Sequence, residues 1–173
     1  MVMGESLALE QLYDEHAQAV FAYALNMTRH EADARDVLQE VFLRLARQPA
    51  GCENLRDPRA YLLQLAHNLV MDLYRRRSTR ERRHEKLAAE QEGCFAPAAN
   101  PDEAAFREAL EKALADLPED QRAVVHLKLW EEMTFDAIAK VLGISPNTAA
   151  SRYRYGLDKL RARLRPLHEE LQI

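Results

Sequence analysis

Apolar positions recur at helical spacing in most segments of this chain long enough to show a period. Leu9, Leu12, Tyr13, Ala17, Val20, Phe21 and Ala24 share one side of a helix predicted over residues 7–27. Thr28 and Glu31 have the spacing of a capping box, so a second helix is expected to start there and run to about Arg47. Ala34, Val37, Leu38, Val41, Phe42 and Leu45 form its apolar face, and Asp36, Gln39, Glu40 and Arg44 its polar one. By pattern alone that polar face reads as solvated surface.

Pro49, Gly51 and Pro58 then interrupt helical structure. A third helix is expected through Tyr61, Leu62, Leu65, Ala66, Leu69, Val70 and Leu73, and it runs into the basic stretch Arg75, Arg76, Arg77, Arg80, Arg82, Arg83 and Lys86. Cations suit a helix C-terminus, but this many in so short a run repel one another well beyond what capping needs, which points to a polyanionic partner. Residues 87–103, LAAEQEGCFAPAANPDE, hold no sustained period and read as a flexible linker.

Helical periodicity returns near Asp102, with Phe106, Ala109, Leu110, Ala113, Leu114 and Leu117 on one face. Pro118 suits the start of a further helix that would bury Val124, Val125, Leu127, Leu129 and Trp130. In TFDAIAKVLGISPNTAASRYRYGLDKLRARL, the positions Phe135, Ile138, Ala139 and Leu142 make one face of a short helix. Gly143 suits a left-handed C-terminal cap, Ile144 plugs the turn, and Ser145 followed by Pro146 suits a new helix start. This is the spacing of a helix-turn-helix. In its second helix Ala149, Tyr153, Gly156, Leu157, Leu160 and Leu164 take the inner positions, leaving Asn147, Thr148, Ala150, Ser151, Arg154 and Tyr155 outward, where such helices meet base edges. Arg152, Lys159, Arg161, Arg163 and Arg165 add cations for phosphates.

Composition agrees with an all-α fold. Only 5 Gly and 7 Pro in 173 residues leave little punctuation for hairpins. The pattern gives two small helical domains, 1–86 and 104–173, joined by the linker 87–103. The start of the chain lacks the basic and apolar regions of a secretory signal, and no apolar run suggests a membrane span. Cys52 and Cys94 lie far from each other and from any His at ligand spacing, so neither a disulfide framework nor a metal site is expected. The net charge of −4 conceals segregation, because 74–86 carries +5 and 122–173 carries +3 in an otherwise acidic chain. Two basic islands imply two localised anion contacts.

In this order the motifs resemble the extracytoplasmic-function (ECF) sigma factors of bacterial RNA polymerase, within the sigma-70 family, from about residue 7 to residue 165. ADARDVLQEVFLRL is similar to the family's helix for the clamp helices of the polymerase beta-prime subunit. The resemblance therefore implies that Asp36, Gln39, Glu40 and Arg44 face polymerase, reversing the reading from pattern alone. LRDPRAYLLQLAHNLVMDLYRRR resembles the segment that melts and reads the minus-ten element, which implies DNA contacts at Asn54, Arg56, Tyr61, Asn68, Asp72, Arg75, Arg76 and Arg77, with a flipped base held by the loop 51–56. LPEDQRAVVHLKLWEEMTFDAIAKVLGISPNTAASRYRYGLDKLR resembles the domain that reads the minus-thirty-five element, implying Asn147, Thr148, Ser151, Arg152, Arg154, Tyr155 and Lys159 as contacts.

By this resemblance the protein is a non-catalytic, cytoplasmic promoter-specificity subunit for stress or envelope-responsive promoters. Its partners would be core RNA polymerase, including the beta flap, promoter DNA and an anti-sigma factor, with no cofactor, metal, small-molecule substrate or membrane insertion. The chain departs from the family at Tyr61, where Trp is usual, at Ala137, where Glu is frequent, and at Ala149-Ala150 in place of Val-Lys. LRDPRAYL further resembles the iron-starvation subgroup, from which the C-terminal domain departs. The alternative is an autonomous helix-turn-helix regulator with a helical sensing or dimerisation domain, which would bind a symmetric operator tightly without polymerase. An enzyme would need clustered chemistry, and the six His are scattered without partners at triad or ligand spacing.

Overall fold

A computed structural model describes residues 2–47, 55–81 and 101–171. Among these the chain forms seven helices: α1 (Val2–Thr28), α2 (Glu31–Arg47), α3 (Pro58–Glu81), α4 (Pro101–Ala115), α5 (Glu119–Leu129), α6 (Phe135–Leu142) and α7 (Pro146–Leu171). It divides into two compact units, Met1–Glu90 and Gln91–Ile173. α4 begins at Pro101, inside the last residues assigned to the linker from sequence, and the rest of that stretch, 87–100, lies outside the described residues. None of the described helices is long and apolar enough to cross a membrane.

In the first unit α1, α2 and α3 pack on one another. Val20, Tyr23, Ala24 and Met27 of α1 meet Ala34, Val37, Val41 and Leu45 of α2 and Leu62, Leu63, Ala66 and Val70 of α3, all buried. Tyr13, expected inward, is 47% exposed and lies edge-on to Phe42 at 4.9 Å between ring centroids.

The corner between α1 and α2 differs from the capping box expected there. Thr28 ends α1 instead of opening α2, and its hydroxyl donates to the Ala24 carbonyl at 2.8 Å. Arg29 takes the left-handed conformation at φ 56°, which turns the chain within two residues. His30 does the capping, its Nδ1 accepting from the Asp33 N–H at 3.4 Å, while Glu31 pairs with Arg35. A first helix that persists one residue longer takes Thr28 into its own last turn and leaves the cap to the next polar side chain. Asp57 caps α3, its Oδ1 accepting from the Ala60 N–H at 3.0 Å.

In the second unit α7 is the spine, packing against α4, α5 and α6. Ala113, Leu114, Leu117, Val125 and Leu160 form a buried cluster against which Leu110, Tyr153, Leu157 and Leu164 pack. Phe106, Leu129 and Trp130, all expected to be buried, are 43%, 46% and 37% exposed. Each falls at or near a helix end, where the period runs on past the last neighbouring helix able to cover it. Arg122 is buried and donates to the Ala115 and Leu117 carbonyls, both at 2.9 Å, closing the C-terminal end of α4. Lys128 reaches the Met133 carbonyl at 3.0 Å and lies 5.0 Å from the Phe135 ring centroid, fastening α5 to the start of α6.

Candidate polymerase and promoter interfaces

The turn between α6 and α7 forms as its sequence requires. Thr134 caps α6, accepting from the Ala137 N–H at 3.2 Å. Gly143 adopts φ 66°, and both it and Ile144 donate to the Ala139 carbonyl. Only glycine takes that conformation without a steric cost. Ser145 Oγ accepts from the Thr148 N–H at 3.0 Å and lies 2.8 Å from Thr148 Oγ1. Ala149 is fully buried, allowing α7 to cross α6 closely, and Tyr153 meets Phe135 edge-on at 5.7 Å. Gly156 is required by packing, since a Cβ there would stand 2.7 Å from Val125 Cγ2.

The outward face of α7 presents Asn147, Arg154 and Tyr155 to solvent, with Ser151 half-buried among them. The Arg154 guanidinium lies 5.2 Å from the Tyr155 ring centroid, so two flat, polar-edged groups project side by side. Thr148 is half-buried and its hydroxyl is engaged in the cap. One flank of the helix is tied back to the protein: Arg152 Nε pairs with Asp120 at 3.0 Å, and Arg163 lies 3.4 Å from Asp116. Lys159, exposed, falls between them on the same flank. The sequence reading singled out Arg152 but not its partner, because an acid at the start of α5 reveals nothing of its neighbour until α5 and α7 are packed.

In the first unit Asp36, Gln39 and Arg44 are exposed and Glu40 is half-exposed, so the polar face of α2 lies on the surface. Glu40 and Arg44 pair at 2.9 Å. Beside them a cavity of about 380 Å³ runs between α2 and α3. Its lining joins Asp36, Val37, Glu40 and Arg44 of α2 to Leu69, Asp72, Leu73 and Arg76 of α3. Residues that the sequence assigned to two different partners thus border one groove. Asn68 and Arg75 are exposed, and Arg75 pairs with Asp72 at 2.8 Å. Together with half-buried Tyr61 they form a single stripe, because spacings of seven and of four or three return to the same side of a helix. Arg56 is exposed just before α3, and Asn54, with the rest of the loop from Gly51, lies outside the described residues. Arg77 does not share the stripe; its Nη2 bonds Asp33 Oδ2 in the first turn of α2.

Two helical units, one built around a helix-turn-helix with a basic second helix, define a class of transcription protein that known sequences identify further. The family profiles "Sigma-70 region 2" and "Sigma-70, region 4" match residues 12–80 and 107–160. The ECF RNA polymerase sigma factor SigL of Mycobacterium tuberculosis is 34% identical over 167 residues, covering 94% of this chain and 92% of the relative. RNA polymerase sigma factor CarQ of Myxococcus xanthus is 33% identical over 171 residues, covering 97% of this chain and 95% of the relative. The fold is shared with the sigma factor RpoE of Bartonella quintana, solved in complex with the anti-sigma factor NepR, at a TM-score of 0.79 and 19% identity over 90% of this chain and 96% of that one. The chain belongs to the ECF RNA polymerase sigma factors, the promoter-specificity subunits that join core RNA polymerase to start transcription.

Proposed function

We propose that α2 docks on core polymerase through Asp36, Gln39, Glu40 and Arg44, on the beta-prime clamp helices, and that the adjoining side of α3 receives the opened minus-ten strand. Arg56 and Tyr61 stand where that strand enters, and Asn68, Asp72, Arg75 and Arg76 follow along the helix. α7 enters the major groove at the minus-thirty-five element, with Asn147, Ser151, Arg154 and Tyr155 toward the bases and Lys159 toward a phosphate. Thr148 and Arg152 stand beside them, one in the helix cap and the other on Asp120. Bond formation belongs to the polymerase; this subunit contributes position and strand separation, working where polymerase works.

The observation that supports this reading is the groove between α2 and α3, whose lining joins Asp36 and Glu40 of α2 to Asp72 and Arg76 of α3. A polymerase seated on α2 then holds the unpaired strand beside α3, where an electropositive helix end can keep it from re-pairing. An anti-sigma partner also fits: the related fold was captured with one, and exposed Leu129 and Trp130 offer apolar surface in the second unit.

The test is charge reversal at Asp36 or Glu40. Either substitution to Lys should weaken binding to core polymerase by about tenfold or more, in the range for interfacial charges, without loss of helical content. Run-off transcription from a selected promoter should fall in parallel. Unchanged transcripts from both variants would show that polymerase docks elsewhere.

A further inference from the structure

We infer that Arg77 and Asp33 are positioning residues, forming a brace that sets the basic end of α3 against the docking helix α2, and that Arg77 is not a strand contact. The inference rests on the proposed placing of the minus-ten strand along α3 and alters which of its arginines meet DNA.

The helical register is the first ground. Leu63, Ala66 and Val70 are buried, and Arg77 follows Val70 by two turns of helix, so it leaves α3 on the core-facing side. Asn68 and Arg75 leave on the solvent side. Its partner is the second ground. Arg77 Nη2 bonds Asp33 Oδ2 across 44 positions of sequence, and the Asp33 side chain is only 19% exposed. His30 Nδ1 lies 3.6 Å from the same carboxylate oxygen, and the Asp33 amide reaches that imidazole nitrogen. As the acceptor of that amide, Nδ1 has no hydrogen to give the carboxylate; the cap fixes the backbone from which Asp33 leaves, and Arg77 donates to the carboxylate itself.

The third ground lies one turn back along α3. Tyr74 donates its hydroxyl hydrogen to the Met27 carbonyl, at the same corner between α1 and α2. Two side chains on one side of α3 thus grip a corner that is itself buried from Asn26 to Arg29. Without the outer of these two holds, α3 runs on past buried Val70 with exposed Arg75 and Arg76 on a helix end crowded with like charges. Such a helix end frays or turns, and Arg75 and Arg76 turn with it. The brace also spans from α3 to the helix that docks on polymerase, fixing the strand-facing cations relative to the docking face.

The experiment uses the full chain bound to core polymerase, with a promoter fragment carrying 2-aminopurine in the minus-ten element to report opening. Asp33→Ala, Arg77→Ala, Arg77→Gln and the exchange Asp33→Arg with Arg77→Asp are compared, each checked for helical content. Each single variant should slow opening by about threefold or more, while polymerase affinity stays within about twofold, and the exchange should recover most of the loss, as coupled neighbours do. The salt dependence of holoenzyme binding to a single-stranded minus-ten oligonucleotide should keep its slope in Arg77→Gln.

A direct phosphate contact gives the opposite results: a slope shallower by about 0.7 in Arg77→Gln, no effect or faster opening in Asp33→Ala, and no recovery by exchange. Any of these overturns the brace. Arg77→Gln keeps the stem and a donor, so it decides the matter if Arg77→Ala loses its fold. Arg75→Ala is run beside them. Slow opening with Arg75→Ala but not with Asp33→Ala overturns the brace alone, and normal opening with both overturns the placing of the strand on α3 as well.

Discussion

Tyr23 carries a polar end into the middle of the first unit. It is fully buried, and its hydroxyl meets His67 Nδ1 at 2.8 Å. Burial, with a smaller contribution from the nearby Tyr74, pushes its ionisation well above the ordinary range for a phenol. In the unfolded chain the same group ionises near pH 10, so its contribution to stability is complete below about pH 10 and is lost as pH rises beyond it toward the folded value. The expected outcome is a stability that declines above about pH 10, with Tyr23→Phe showing a shallower decline in urea titrations. At neutral pH the same substitution should cost about 1 kcal/mol, the loss of one partly buried hydrogen bond. Gly156 is the converse case, a residue fixed by what it lacks. Glycine to alanine favours a helix by up to about 1 kcal/mol, but the new methyl would press on the short, stiff Val125 side chain at 2.7 Å. The clash wins, since overpacking costs about 1–3 kcal/mol, and Gly156→Ala should lower the denaturation midpoint. Combined with Val125→Ala it should cost less than the two separate losses added together.

Among the elements, α7 divides its surface between three tasks. Ala149, Gly156 and Leu160 face the core, Asn147, Arg154 and Tyr155 face outward, and Arg152 and Arg163 tie one flank to Asp120 and Asp116. The ion pairs add little stability, since such exposed pairs contribute about 0–1 kcal/mol. Their effect on DNA should be larger, because a guanidinium held by a carboxylate is a weaker phosphate ligand. Asp120→Asn should release Arg152, tighten holoenzyme binding to minus-thirty-five duplex a few-fold, and steepen its salt dependence by about one phosphate contact. An unchanged slope would mean that Arg152 serves only to fasten α7 to α5. The helix-turn-helix was legible from sequence because its turn is local: Gly143 and Ser145 each act on atoms within a few residues, as does Thr134, a cap not singled out from the sequence. The corner at Thr28 was misread for a related reason, since which helix keeps a shared polar residue depends on where the first one stops.

For the whole molecule, charge arrangement decides more than net charge. The chain is acidic overall at −4, yet the end of α3 and the length of α7 are basic. Free protein should therefore bind promoter duplex weakly, with affinity falling by an order of magnitude or more between about 50 and 200 mM salt. Adding core polymerase should restore promoter-specific binding at the higher salt, because one docked complex engages the promoter at several points at once. Filter binding or anisotropy across a salt series, with and without polymerase, measures both. Tight, polymerase-independent binding to a symmetric site would contradict it.

The sequence by itself determined the helical class, the order of the elements, the helix-turn-helix and two separated basic stretches, because periodicity, caps and charge runs act over a few residues at a time. It placed Asp36, Gln39 and Glu40 on a surface face for the same reason. Only the tertiary structure decided that Asp36 and Glu40 share a groove with Asp72 and Arg76, that Asp120 holds Arg152, and that Arg77 turns inward to Asp33. These pairings join residues far apart in the chain, so no local pattern encodes them. The step from Val70 to Arg77 was visible in the register, but a run of arginines draws the eye to its charge. Packing settles which face each one takes, because one position in a helix turns a side chain by 100°, enough to separate a DNA contact from a structural tie.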